Sequence, residues 1–126
     1  MEINIVLQNG YRIAVVQSDE LLITDTQSAL DFMAAIRYQA ETEIIAVNKE
    51  AITEDFFALS TCIAGEILQK FVTYNVKLAI VGDFSGYTSK PLKDFIYESN
   101  HGSHIFFVAS IDEAIKKLTS DYRVCT

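Results

Sequence analysis

The chain of 126 residues has no tryptophan, one proline, two cysteines, five glycines, and ten basic residues against seventeen acidic ones. Each shortage excludes something. The Lys and Arg residues are dispersed singly through a chain of net charge −7, so the average surface repels a phosphate backbone and no nucleic-acid partner is expected. Apolar runs of no more than about five residues exclude membrane insertion, because a spanning helix needs roughly 20. The opening Met1-Glu2-Ile3-Asn4 lacks the basic and apolar regions of a secretion signal, so a cytoplasmic location is expected. Cys62 falls within a helical pattern and Cys125 is next to last, an arrangement that suits free thiols in a reducing compartment rather than a disulfide. Pro91 and the glycines are scattered at turns, with no linker and no repeat. One domain over residues 1–120 is expected, followed by a flexible C-terminal tail at 121–126.

What the chain does have is apolar patterning. Half of it is hydrophobic and 21% is charged, and its length is enough to bury about two thirds of the unfolded surface. Ile3, Ile5 and Leu7 alternate with other residues, Asn9-Gly10 is a strong hairpin turn, and residues 13–16 are apolar again. This predicts an antiparallel N-terminal hairpin. Asp25 is placed to cap a helix whose Ala29, Met33, Ile36 and Ala40 share one face. Residues 44–47, 77–82 and 105–109 are short continuous apolar runs, the pattern of parallel strands covered on both sides. Between the first two, a helix capped by Thr53 is expected to present Phe56, Leu59, Ile63, Ile67 and Phe71 as one stripe, with Asp55, Glu66, Gln69 and Thr73 opposite. Pro91 suits the first turn of a third helix, and Ser110 with Glu113 forms a capping box before a last one. The expected fold is α/β, a mixed sheet with flanking helices in the order ββαβαβαβα.

Two resemblances rest on particular residues. Asn48-Lys49-Glu50-Ala51-Ile52-Thr53-Glu54-Asp55-Phe56-Phe57, Ala64-Gly65-Glu66-Ile67-Leu68-Gln69-Lys70-Phe71 and Val81-Gly82-Asp83-Phe84-Ser85 resemble a bacterial domain-of-unknown-function family, number 4180. That resemblance implies no activity. The strand, loop, helix, strand unit at 44–82 is similar to the STAS domain of anti-sigma-factor antagonists and sulfate transporters. STAS antagonists switch through a phosphorylated serine in Asp-Ser-Ser-Gly-Leu, which aligns by position with Asp55-Phe56-Phe57-Ala58-Leu59. Both serines are phenylalanine here, so the resemblance implies the fold and leaves only Ser60 and Thr61 as neighbouring candidate phosphosites.

Open α/β sheets bind ligands beyond the carboxyl ends of parallel strands. Asn48, Lys49, Glu54 and Asp55 follow one such strand, and Asp83, Ser85, Tyr87, Thr88, Ser89 and Lys90 follow the next. Of these, Asn48, Lys49, Asp55, Asp83, Ser85 and Lys90 are the candidate ligand-binding residues. Capping and turn formation use the same residue types. The loop at 82–90 lacks the Gly and Lys spacing of a phosphate loop. His101 and His104 lack a third ligand in a recognised spacing, and no serine or cysteine nucleophile stands beside them, so neither a metal nor a catalytic residue is assigned and no cofactor is expected. A non-enzymatic, STAS-like module acting through protein contacts or regulation, with an unknown partner or as a homodimer, is the leading expectation. A small-molecule binder or enzyme working at the strand ends is the alternative.

Overall fold

The computed structural model describes residues 1–58 and 61–119. Leu59, the candidate phosphosite Ser60, and the expected tail at 121–126 with Cys125 lie outside the described residues. The chain begins with β1 (Glu2–Gln8) and β2 (Tyr11–Gln17), an antiparallel hairpin paired without a bulge from Glu2↔Gln17 to Gln8↔Tyr11. Asn9 (φ 53°) and Gly10 (φ 83°) both take positive φ at its turn, the backbone for which an Asn-Gly pair is suited.

Helix α1 (Thr26–Ala40) follows, capped as expected: the Asp25 side chain accepts from Ser28 N–H, and Ser28 Oγ accepts in return from Asp25 N–H. Strands β3 (Ile44–Asn48), β4 (Lys77–Val81) and β5 (Ile105–Val108) then add in parallel, giving one sheet in the order β1-β2-β3-β4-β5. Helices α2 (Ile63–Thr73) and α3 (Lys90–Asn100) connect them, and α4 (Ile111–Thr119) follows β5. The expected mixed α/β architecture is the observed one.

Side chains alternate across the sheet, and both faces are buried. Val16, Ile45, Val47, Leu78, Ile80 and Phe107 point to one core, which is covered by α1 (Phe32, Ile36), α2 (Ile67, Phe71) and α3 (Leu92). Ile13, Val15, Ala46, Ala79, Phe106 and Val108 point to the other, where α4 lays down Ala114 and Leu118. The three parallel crossovers therefore share one face. Only the connection after β5 leaves for the opposite one.

One expected element is corrected. The segment after Thr53 is not the start of α2. Thr53 Oγ1 caps a four-residue 3-10 turn, Glu54–Phe57, and α2 begins at Ile63 after a break in which Cys62 takes φ 64°. Thr61 Oγ1 lies 2.8 Å from the carbonyl oxygens of both Asp55 and Ala58, groups that a continuous helix would need for its own ladder. Local hydroxyl-to-backbone bonding thus interrupts the helix although the apolar stripe continues. Phe56 and Phe57 are buried all the same, as are Ile67 and Phe71.

Asn48, at the end of β3, holds the sheet's carboxyl edge closed. Its Oδ1 accepts from Ser18 N–H at 2.9 Å, and its Nδ2 donates to the Ser18 carbonyl at 2.8 Å and to Glu50 Oε1 at 3.2 Å. The side chain continues the β2–β3 ladder by one step. Because this pairing is buried, Asn48→Ala strands a backbone donor and acceptor and is expected to cost about 1–3 kcal/mol, read as a lower urea midpoint at unchanged m.

Candidate functional site

The loops leaving β4 and β5 part at the carboxyl edge. The first runs to α3 on the three-helix face, and the second runs to α4 on the other. Adjacent strands whose connections diverge to opposite faces leave a crevice between them, as at the switch point of a doubly wound sheet, although the strand order here does not reverse. The crevice holds about 380 Å³ and is lined by Gly82, Asp83 and Phe84 from one side and Phe107, Ala109 and Glu113 from the other. Phe84 and Phe107 meet edge to face at 5.5 Å.

Two carboxylates stand at this opening. Asp83 Oδ1 accepts from Ser85 Oγ at 2.7 Å and from Ser85 N–H at 2.9 Å. These bonds, hydroxyl first, hold the Asp83 carboxyl below its ordinary pKa, with the charge of Lys49 adding to the effect. Glu113 sits in the first turn of α4, where its N–H donates to Ser110 Oγ at 3.2 Å, half of the expected capping box.

Beside the crevice the loop from β4 is tied back to the 3-10 turn. Tyr87 Oη lies 3.1 Å from both oxygens of Glu54, and its ring stacks on Phe57 with centroids 5.0 Å apart. Lys49 Nζ is 5.2 Å from the Tyr87 centroid, 5.8 Å from that of Phe57 and 3.5 Å from Glu54 Oε2. Tyr87, then Glu54, raise the Lys49 pKa against the opposing effect of burial. Burial is the main cause of a raised pKa at Tyr87. The Lys49 stem crosses Gly82 so closely that a Cβ there would stand 2.7 Å from Lys49 Cβ. Glycine at 82 is what lets the lysine pass.

The candidate residues named from sequence therefore separate. Lys49, Asp83 and Ser85 gather at the β4 end of the edge. Asn48 is buried and committed to Ser18. Asp55 is exposed on the 3-10 turn, and its carbonyl accepts from Ala58 N–H. Lys90 pairs with Asp94 one helical turn on, at 2.9 Å, and that partner raises its pKa. Thr61 is exposed, with its hydroxyl against the Asp55 and Ala58 carbonyls. Sequence reasoning named Glu54 and Tyr87 at the strand ends without selecting them as candidates, and it placed Glu113 in a capping box. The first two are 33 residues apart and meet only because the loop folds back, while Glu113 reads as a helix cap.

His104 Nε2 lies 3.0 Å from Asn75 Oδ1 and His101 Nδ1 lies 2.8 Å from the Tyr97 carbonyl, both at the amino edge of the sheet. Among the described residues no group of three His, Cys, Asp or Glu gathers to hold a metal ion, and no helix is long and apolar enough to cross a membrane. An apolar groove of about 370 Å³ at the amino edge is lined by Leu30, Met33, Ala34, Tyr38, Tyr74 and Val76, and Arg37 at its rim is already paired with Glu43.

The fold defines a mixed α/β domain with a five-stranded sheet covered on both faces. Over residues 8–118 the chain matches the family model Domain of unknown function (DUF4180), and it belongs to that family. No curated protein matches the chain. No solved structure matches it either.

Two measurements check this geometry. Gly82→Ala is expected to destabilise the protein by about 1–3 kcal/mol, because the clash falls on the first carbon of the Lys49 side chain, which cannot swing clear. A group with a raised folded-state pKa contributes stability that is complete below its unfolded pKa and lost as pH rises through the higher folded value. For Tyr87 that window opens at its ordinary value of 10.0 and extends upward. The stability gap between wild type and Tyr87→Phe is therefore expected to narrow in alkaline urea titrations, and the variant to lose tyrosinate absorbance that develops above the ordinary tyrosine range.

Proposed function

We propose that this protein is a cytoplasmic, non-enzymatic binding module of STAS-like architecture that takes a small molecule into the crevice between β4 and β5. The parting of the two loops to opposite faces carries the reading, because it opens a cavity at the one edge where an open α/β sheet presents loop side chains and strand ends together. The unit at 44–82 supports the STAS-like assignment. Phe84, backed by the buried Phe107, supplies an apolar wall, and Asp83 and Glu113 supply negative charge. A compound with a flat apolar body and a protonated amine satisfies both, and the net charge of −7 favours its approach. Lys49 would support the site from behind. It balances Asp83 and holds Tyr87 and Glu54 as a brace for the loop that carries Phe84. The amino-edge groove fits such a compound less well, since its lining offers no carboxylate.

Action through protein contacts is the second reading, and the exposed apolar outer strand β1 favours it. The two readings use different surfaces and are compatible.

A thermal-shift panel of arylalkyl amines, with phenethylamine as the first probe and phenylacetate as the anionic control, tests the proposal. Amines are expected to raise the midpoint, and a ligand at 100 times its dissociation constant stabilises by about 2.7 kcal/mol. Asp83→Asn keeps an acceptor for Ser85 but removes the charge, and with Glu113→Gln it is expected to weaken amine binding about tenfold or more. Equal response to amine and carboxylate, or none to either, would overturn the proposal.

A further inference from the structure

The sheet has two edges, and the fold treats them differently. At β5 the outer edge is closed by the chain itself: Asn100 Oδ1 accepts from Phe107 N–H at 2.7 Å and Asn100 Nδ2 donates to the Phe107 carbonyl at 3.1 Å. This strand has four residues, all buried. At the other edge β1 runs for seven residues and, among the described residues, pairs only with β2. Every second residue of it turns its N–H and C=O outward. Sheets usually protect such an edge with lysine, proline, a bulge or a covering element. β1 contains neither Lys nor Pro, its register with β2 is unbroken, and Leu7 is 72% and Ile5 41% exposed.

The sequence of β1 is also complementary to itself. In an antiparallel pairing about a two-fold axis at Ile5, Ile5 faces its own copy and Ile3 faces Leu7, which makes one apolar ladder on the three-helix side. On the other side Glu2 faces Gln8 and Asn4 faces Val6, so the only charge in the strand meets a neutral amide and no like charges oppose. We propose that β1 is the self-association surface of this protein, joining two copies through an isologous β1–β1 pairing into one continuous sheet.

Sedimentation of the wild-type chain is expected to give twice the 14.1 kDa chain mass. Ile5→Lys sets two ammonium groups against each other across the axis and is expected to raise the dimer dissociation constant about a hundredfold or more, with an unchanged far-ultraviolet spectrum. Should that variant fail to fold, Ile5→Cys in a chain carrying Cys62→Ser and Cys125→Ser decides. Paired strands bring the two positions within disulfide reach, and oxidation is then expected to yield a covalent dimer, whereas Tyr38→Cys in the same background stays uncrosslinked. A wild-type chain that sediments as a monomer overturns the proposal. So does a dimer that oxidises through position 38 but not through position 5.

Discussion

The connections of this sheet change face once, between β4 and β5, and the remaining architecture follows from that change. Three successive crossovers place α1, α2 and α3 on one face, which leaves the other face of the four parallel strands bare. An apolar sheet face cannot stay in water, and α4 returns across it to bury Ile13, Ala46, Ala79 and Phe106. Doing so obliges the chain after Val108 to leave opposite to the chain after Val81. The crevice is the direct geometric consequence. It is therefore as permanent as the core, since closing it would mean lifting α4 off the sheet.

Around that opening the polar residues divide between holding the edge together and facing outward. Asn48 spends its amide on Ser18, and Lys49, Glu54 and Tyr87 bind one loop to another. The Lys49–Glu54 contact contributes little by itself, for Glu54 remains 71% exposed and its charge is well screened. Its value lies in the stacking of Tyr87 on Phe57, which seats Phe84 against Phe107. The crevice beside them is lined by Asp83, Glu113 and Phe84, with Phe107 buried behind Phe84.

Much of the fold is legible in the sequence because burial writes itself into the pattern. Continuous apolar runs marked β3, β4 and β5, Asn9-Gly10 marked the hairpin, and Asp25 marked the start of α1. Three features escape that reasoning for physical reasons. The stripe from Phe56 to Phe71 has helical period throughout, and periodicity is blind to the Thr61 hydroxyl that breaks the ladder. Which face α4 covers depends on how three earlier helices fill the other, so no property of residues 111–119 alone decides it. Asn48 has the composition of a binding residue and the role of a backbone group, a distinction made only by Ser18, 30 residues away. The rule for open sheets points to the carboxyl edge, while the crevice there and the place of Glu113 beside it depend on the parting of two loops, which no local pattern records.

The claim most open to direct test is that the β4/β5 crevice receives a ligand. Amide chemical-shift mapping during titration with phenethylamine addresses it residue by residue. The account predicts saturable shifts at residues 83–85 and 109–113, with residues 30–38 of the amino-edge groove unmoved. Shifts confined to 30–38, or none at the carboxyl edge at saturating probe, would contradict it.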